Sequence, residues 1–177
     1  MDTHREAALS VVIVTYNSSS TIKEFLDSLI RFQPDCEIIV VDNNSQDQTL
    51  KIIEAFKSKI ELIISPTNVG FARAVNQGAA LASNDYLVLF NPDCHLIAKD
   101  SLKQLQQQLT DHTDYGMVGP MLLHADGSIQ KSVRNLPTVI KAVEEYLLQR
   151  KDAYEFYTPA GKGLQSVESI VAACVVI

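Results

Sequence analysis

Four short β-branched apolar runs, most of them followed by a stretch whose apolar residues recur at helical spacing, constrain this chain more than any other feature. Leu9-Ser10-Val11-Val12-Ile13-Val14 is apolar on both faces, as a strand buried between two helical layers must be. Ile22, Phe25, Leu26 and Leu29 follow at i, i+3, i+4 and i+7, and Thr21-Ile22-Lys23-Glu24 has the spacing of a capping box. Pro34-Asp35 ends that helix. Ile38-Ile39-Val40-Val41 repeats the buried-strand pattern, and a helix carrying Leu50, Ile53 and Phe56 on one face comes after it. Ile60 to Ile64 reads as a third strand, Phe71 to Ala82 as a helix, and Tyr86 to Phe90 as a fourth strand. Strands alternating with helices mean parallel pairing through crossovers, so the fold class is α/β, layered, with a mostly parallel central sheet.

Beyond Phe90 the pattern is less regular. Asp100 to Leu109 predicts a helix with Leu102, Leu105 and Leu109 on its buried side and Gln106 to Gln108 facing water. Met117 to Leu123 predicts a strand interrupted by Pro120. Ala125-Asp126-Gly127-Ser128 predicts a hairpin turn, and Pro137 a helix start ahead of Val139, Ile140, Val143 and Leu147. Gly161-Lys162-Gly163 marks a loop.

Composition excludes several classes. Fifteen Lys and Arg against twenty-one Asp and Glu leave a net charge of −6, with no basic stripe, which argues against nucleic-acid binding. Cys36, Cys94 and Cys174 are scattered, odd in number and in no Cys-x-x-Cys pair, so they predict reduced core residues of a cytoplasmic protein. The N-terminal residues are polar, and the longest apolar run, Ile170 to Ile177, is far short of the roughly 20 residues a membrane helix needs.

In parallel α/β sheets ligands gather beyond the carboxyl ends of the strands. Here those ends are rich in polar groups: Thr15-Tyr16-Asn17-Ser18-Ser19-Ser20, Asp42-Asn43-Asn44-Ser45, Ser65-Pro66-Thr67-Asn68-Val69-Gly70 and Asn91-Pro92-Asp93. Each alone has a plain structural explanation as a turn or a helix cap. Jointly they predict a nucleotide site assisted by a divalent metal. Tyr16 offers a ring for stacking, Asp42 an acceptor for a base N–H or ribose hydroxyl, and Asp93 a hard oxygen for Mg²⁺ or Mn²⁺. No G-x-G-x-x-G or Walker A loop is present, so the diphosphate must be held by a cation, with Arg73 as a second positive charge. The histidines His4, His95, His112 and His124 show no ligand spacing. Cys94 is expected to point away from Asp93 into the core.

With these motifs in order, the chain resembles the N-terminal part of family 2 glycosyltransferases, especially rhamnosyltransferase-like members. The segments carrying the resemblance are Val11 to Asn17, Ile39 to Asp47, Asn68-Val69-Gly70-Phe71-Ala72 with Asn76-Gln77-Gly78, and Leu89 to Asp93. The resemblance implies a GT-A, Rossmann-like, three-layer α/β/α sandwich spanning residues 1–177 as a single domain. It also implies inverting transfer of a sugar from a nucleoside diphosphate donor, linked to dTDP, UDP or GDP, to a saccharide or lipid-linked acceptor in cell-surface polysaccharide synthesis. By it, Thr15, Tyr16, Asn17, Asp42, Asn43, Asn68, Gly70, Arg73, Asn76 and Asn91 border the donor, and Asp93 is the metal ligand, with Asn91 in place of the first acid of a D-x-D.

The general base of that chemistry is expected after a segment resembling Val167 to Ile177, so the chain is expected to be cut short at its carboxyl end, and Glu168 matches no catalytic position. The apolar end is expected to favour a homodimer, and a lipid-linked acceptor implies peripheral attachment at the inner membrane face. Two other readings stay open at this point: a nucleotide-sugar-binding module without transfer, and a sugar nucleotidyltransferase, whose Gly-rich, Arg-bearing first loop is missing here.

Overall fold

The computed structural model describes residues 9–136, 138–139, 156–161 and 163–177. Strand β1 (Leu9–Thr15), helix α1 (Ile22–Phe32), strand β2 (Glu37–Asp42), helix α2 (Thr49–Glu54), strand β3 (Glu61–Ile64), helix α3 (Phe71–Ala79), strand β4 (Tyr86–Phe90) and helix α4 (Ser101–Asp111) follow one another in the expected alternation. Two-residue strands β5 (Val133–Arg134) and β6 (Ser169–Ile170) and the strand β7 (Cys174–Val176) come after them.

The main sheet has the order β3-β2-β1-β4-β7. β1 pairs in parallel with β2 and β4, and β2 with β3; only β7 is antiparallel, setting Phe90 opposite Cys174. Because β1 lies at the centre, both of its faces are covered, and Val11, Val12 and Ile13 are buried along with Ile39, Val40 and Val41 of β2. α1 turns Ile22, Phe25, Leu26 and Leu29 into this core, with Phe25 edge-on to Phe90 at 4.8 Å between ring centres.

Contacts divide the chain into two compact units, Met1–Gly119 with Ala172–Ile177, and Pro120–Val171. The first contains the main sheet. The second contains the β5–β6 pair and the hairpin turn expected at Ala125 to Ser128, in which Gly127 takes a φ of 83° and Leu123 bridges Ile129.

Several local expectations are corrected. Thr21 precedes α1 but makes no side-chain cap bond, so the capping box does not form; the Thr21 and Ile22 amides are satisfied by the Ser18 carbonyl instead. Phe56 falls after the end of α2, and α3 stops at Ala79 rather than Ala82. Gln106 is buried, because it shares the i, i+4, i+7 face of Leu102 and Leu109. Met117 to Leu123 holds no strand; Val118 makes an isolated bridge to Val176, consistent with the break that Pro120 imposes on a ladder. The helix expected after Pro137, through Ile140, Val143 and Leu147, lies outside the described residues, as does Lys162 of the glycine-flanked loop.

Candidate functional site

The parallel register brings the carboxyl ends of β1, β2 and β3 level, with Thr15 opposite Asp42 and Asp42 opposite Ile64. The loops that leave them, and the one after β4, therefore open on one rim. There a cleft of about 360 Å³ is lined by Tyr16, Asn43, Asn68, Asn91 and Asp93 among the expected residues, together with Val14, Ser18, Thr21, Phe71 and Pro92. Tyr16 is 49% exposed and Phe71 48%, so two aromatic rings face solvent at one cleft.

The loop shapes follow from residues that tolerate unusual backbone. Asn17 and Asn44 sit at φ 52° and 68°, a region asparagine enters more readily than most side chains. Gly70, at φ 83°, closes the turn into α3, with its amide donating to Asn68 Oδ1 at 3.0 Å. Asn43 joins this turn to the neighbouring loop: its Nδ2 donates to Asn68 Oδ1 (2.9 Å) and its Oδ1 accepts from the Val69 amide (2.8 Å). Those bonds hold the backbone on which Phe71 is presented.

The remaining expected residues lie around the cleft rather than in its lining. Thr15 and Asp42 are fully buried. Asp42 Oδ2 accepts from the Ser45 amide at 2.9 Å and Oδ1 lies 3.4 Å from the donating Thr15 hydroxyl, so this carboxylate shapes the second loop from beneath. Asn17 Oδ1 accepts from the Gln46 amide at 2.8 Å. Arg73 and Asn76 are exposed on α3, outside the residues that line the cleft.

Asp93 is exposed, and the segment that carries it turns rather than running extended, with the Cys94 amide donating to the Asn91 carbonyl at 3.2 Å. Cys94 packs against the core as expected, but the turn corrects its expected direction, since its thiol reaches back to Asp93 Oδ1 at 3.7 Å. Burial first, then the charge of Asp93, push this thiol up to about 11, so at neutral pH it is a proton donor and not a thiolate. Among the described residues no group of three His, Cys, Asp or Glu is gathered for a metal. Asp93 and Asn91 are nonetheless hard oxygen donors on one wall, a partial set of the kind Mg²⁺ and Mn²⁺ complete with phosphate oxygens and water.

Sequence reasoning missed Phe71, Ser18 and Thr21 as lining residues. An aromatic directly after an Asn-x-Gly turn was the available signal for Phe71, which opens α3 and stays 48% exposed although it stands at i, i+3 and i+7 with the buried Ala74 and Gly78.

A mostly parallel sheet with a polar cleft across its strand ends is the layered α/β arrangement in which ligands such as nucleotides bind, and the glycosyltransferase structures it aligns with make it the GT-A form. Residues 10–163 match the family model described as glycosyl transferase family 2, and the chain belongs to that family. Poly(ribitol-phosphate) beta-N-acetylglucosaminyltransferase TarS of Staphylococcus aureus (strain MW2) is 34% identical over 108 residues, covering 58% of this chain and 19% of TarS. The N-acetylglucosaminyl-diphospho-decaprenol L-rhamnosyltransferase of Mycobacterium tuberculosis (strain ATCC 25618 / H37Rv) is 26% identical over 145 residues, 75% of this chain and 47% of that enzyme.

Among solved structures, S. aureus TarS 1-349 in complex with UDP aligns with a TM-score of 0.53 and 29% identity, over 60% of this chain and 33% of that one. The mannosyltransferase PcManGT from Pyrobaculum calidifontis, in complex with GDP-Man and Mn²⁺, aligns with a TM-score of 0.61 and 25% identity, over 67% and 36%. The chain thus spans less than half the length of each of these proteins. Among the described residues no helix is long and apolar enough to cross a membrane.

Proposed function

We propose that this chain binds a nucleoside diphosphate sugar in the rim cleft and serves inverting transfer of the sugar to an acceptor hydroxyl in cell-surface polysaccharide synthesis, with rhamnose as the favoured sugar. The observation that carries this reading is the meeting of Tyr16, Asn43, Asn68, Asn91 and Asp93, from four separate loops, in one cleft of a family 2 glycosyltransferase. The solved structures in complex with UDP and with GDP-Man and Mn²⁺ support a nucleotide-sugar donor.

In this reading the exposed Tyr16 ring stacks on the base, since a ring half open to solvent has an unused face. The Asn43 and Asn68 amides are already bonded to each other, so they offer a fixed rather than adaptable polar edge. Asp42, Thr15 and Asn17 act by holding the loops around the donor. Asp93, with Asn91, is the side-chain anchor for Mg²⁺ or Mn²⁺, which when bound offsets the charge of the diphosphate as it departs. One acid in place of two lowers the negative charge at that anchor, so metal affinity is expected to be modest and to rise when the diphosphate is bound. Arg73 and Asn76, on the exposed surface of α3, reach the donor only if it extends past the cleft lining.

A second reading, donor binding without transfer, is favoured by one observation. Among the described residues that line the cleft Asp93 is the one carboxylate, and it is the residue assigned to the metal, so those residues supply no separate base for the acceptor hydroxyl.

Calorimetric titration with dTDP, UDP and GDP, each with and without Mn²⁺, tests the common part of both readings. Metal-dependent binding of one nucleotide, weakened at least tenfold in Asp93→Ala, is expected; absence of binding to all three refutes the donor site. Sugar transfer to a saccharide or lipid-linked acceptor then separates the two, and pyrophosphate exchange would reveal a nucleotidyltransferase instead.

A further inference from the structure

The loops after β1 and β2 are joined by side-chain to backbone hydrogen bonds, not by sheet pairing. The Asn17 amide donates to Ser45 Oγ (2.9 Å), the Ser18 amide to Thr49 Oγ1 (2.8 Å) and the Ser19 amide to Asp47 Oδ2 (3.1 Å). Asp47 stands at the hub. Its second oxygen, Oδ1, accepts from both the Thr49 amide (2.9 Å) and the Thr49 hydroxyl (2.5 Å). The Thr49 side chain is fully buried, and its oxygen thus donates to Asp47 while accepting from Ser18.

We infer that Asp47 is a positioning residue for the donor nucleotide, holding the Tyr16–Thr21 loop, through Thr49 and the Ser19 amide, in the shape that lets Tyr16 and Ser18 meet the ligand. The inference rests on the donor-site reading above and adds a residue to it, since Asp47 does not line the cleft.

A local helix-start role for Asp47 would account for its bonds to Thr49, which opens α2. It does not account for the bond to Ser19, an amide 28 residues earlier on a different loop. Oδ2 is spent on that distant backbone. The Thr49 hydroxyl extends the same tie to Ser18, a residue that does line the cleft. The bonds from Thr49 and then Ser19 hold the Asp47 carboxyl well below the usual carboxylate range, so the tie stays charged wherever the protein is folded near neutral pH. Bonds to a charged acceptor are stronger than neutral ones and fix geometry even at an exposed site.

The test uses the whole chain, the nucleotide that binds it with Mn²⁺, and the variants Asp47→Asn, Thr49→Val and Thr49→Ser. Dissociation constants are measured by calorimetry, exchange of the Ser18 and Ser19 amides by NMR, and thermal midpoints alongside. Asp47→Asn and Thr49→Val are expected to weaken nucleotide binding roughly tenfold and to speed exchange at those amides, with the midpoint shifted by only a few degrees. Thr49→Ser keeps the hydroxyl and is expected to restore both binding and protection.

Faster amide exchange with unchanged affinity would overturn the inference alone. So would affinity lost only in step with the thermal midpoint, with Thr49→Ser no better than Thr49→Val. A parent chain that binds none of the three nucleotides would overturn the donor-site reading, and this inference with it.

Discussion

At Gly78 the α3 backbone comes so close to β1 that an added Cβ would stand 2.6 Å from Val12 Cγ1 and 3.2 Å from Val41 Cγ2. Both valines are fixed in the sheet, so neither can give way cheaply. Gly78→Ala is expected to cost about 1–3 kcal/mol, read as a lower denaturant midpoint with an unchanged slope. Gly70→Ala meets nothing within 4 Å but forces a side chain to φ 83° and ψ 160°, a region almost confined to glycine, and is expected to cost about 1–3 kcal/mol through backbone strain alone. At this scale the sequence was read well where a residue type has one use and poorly where its setting decides. Gly70 after Asn68 announces a turn. Gln106 and Cys94 do not announce themselves, because helical phase buries the first and a turn at Pro92 swings the second back to Asp93.

Among the elements, α1 shows how a helix can be anchored by packing when its capping box fails. Ile22, Phe25, Leu26 and Leu29 are all buried at 1% exposure or less. Phe25→Ala, which removes the edge-on contact with Phe90, is expected to cost about 3–5 kcal/mol, measurable as a lowered unfolding midpoint. The elements were legible wherever a periodic apolar face or a β-branched run was long enough to outweigh local exceptions. Those from β1 to α4 fall where their patterns put them, with ends displaced by a few residues. The stretch around Val118 was not legible: a single bridge to Val176, far along the chain, carries no local pattern.

For the molecule as a whole, two linkages can be measured. A nucleotide that binds only the folded chain stabilises it by about 2.7 kcal/mol at 100 times its dissociation constant, which for a protein of this size is a rise of ~5–10 °C in thermal midpoint. Alkaline pH acts in the other direction. Burial, with a smaller push from Cys94, raises the Cys174 thiol from 9.0 to about 12. The folded chain then holds a proton that the unfolded chain has released, so stability is full below pH 9 and declines as pH rises from there toward 12. Cys174→Val is expected to flatten that decline in a series of thermal scans.

The candidate site was legible as a rim because strand ends in a parallel sheet share one edge, whatever their side chains. Which rim residues face the cleft was legible only in part: Tyr16, Asn43, Asn68, Asn91 and Asp93 do, and the others expected do not. Asp42 and Thr15 lie beneath the loops, while Phe71 emerges from a helix start, and these placements depend on cross-loop bonds that no single segment encodes.

Those same bonds limit how such a cleft can be rebuilt. The first loop is tied to the second through Ser45, Asp47 and Thr49, and the second to the third through Asn43 and Asn68. A loop transplanted singly from a relative with another donor would arrive without its partners' acceptors and leave polar groups stranded at both seams. Neighbouring loops must be exchanged as a set, so the unit of redesign, and of inheritance, at this rim is the linked series and not the single segment.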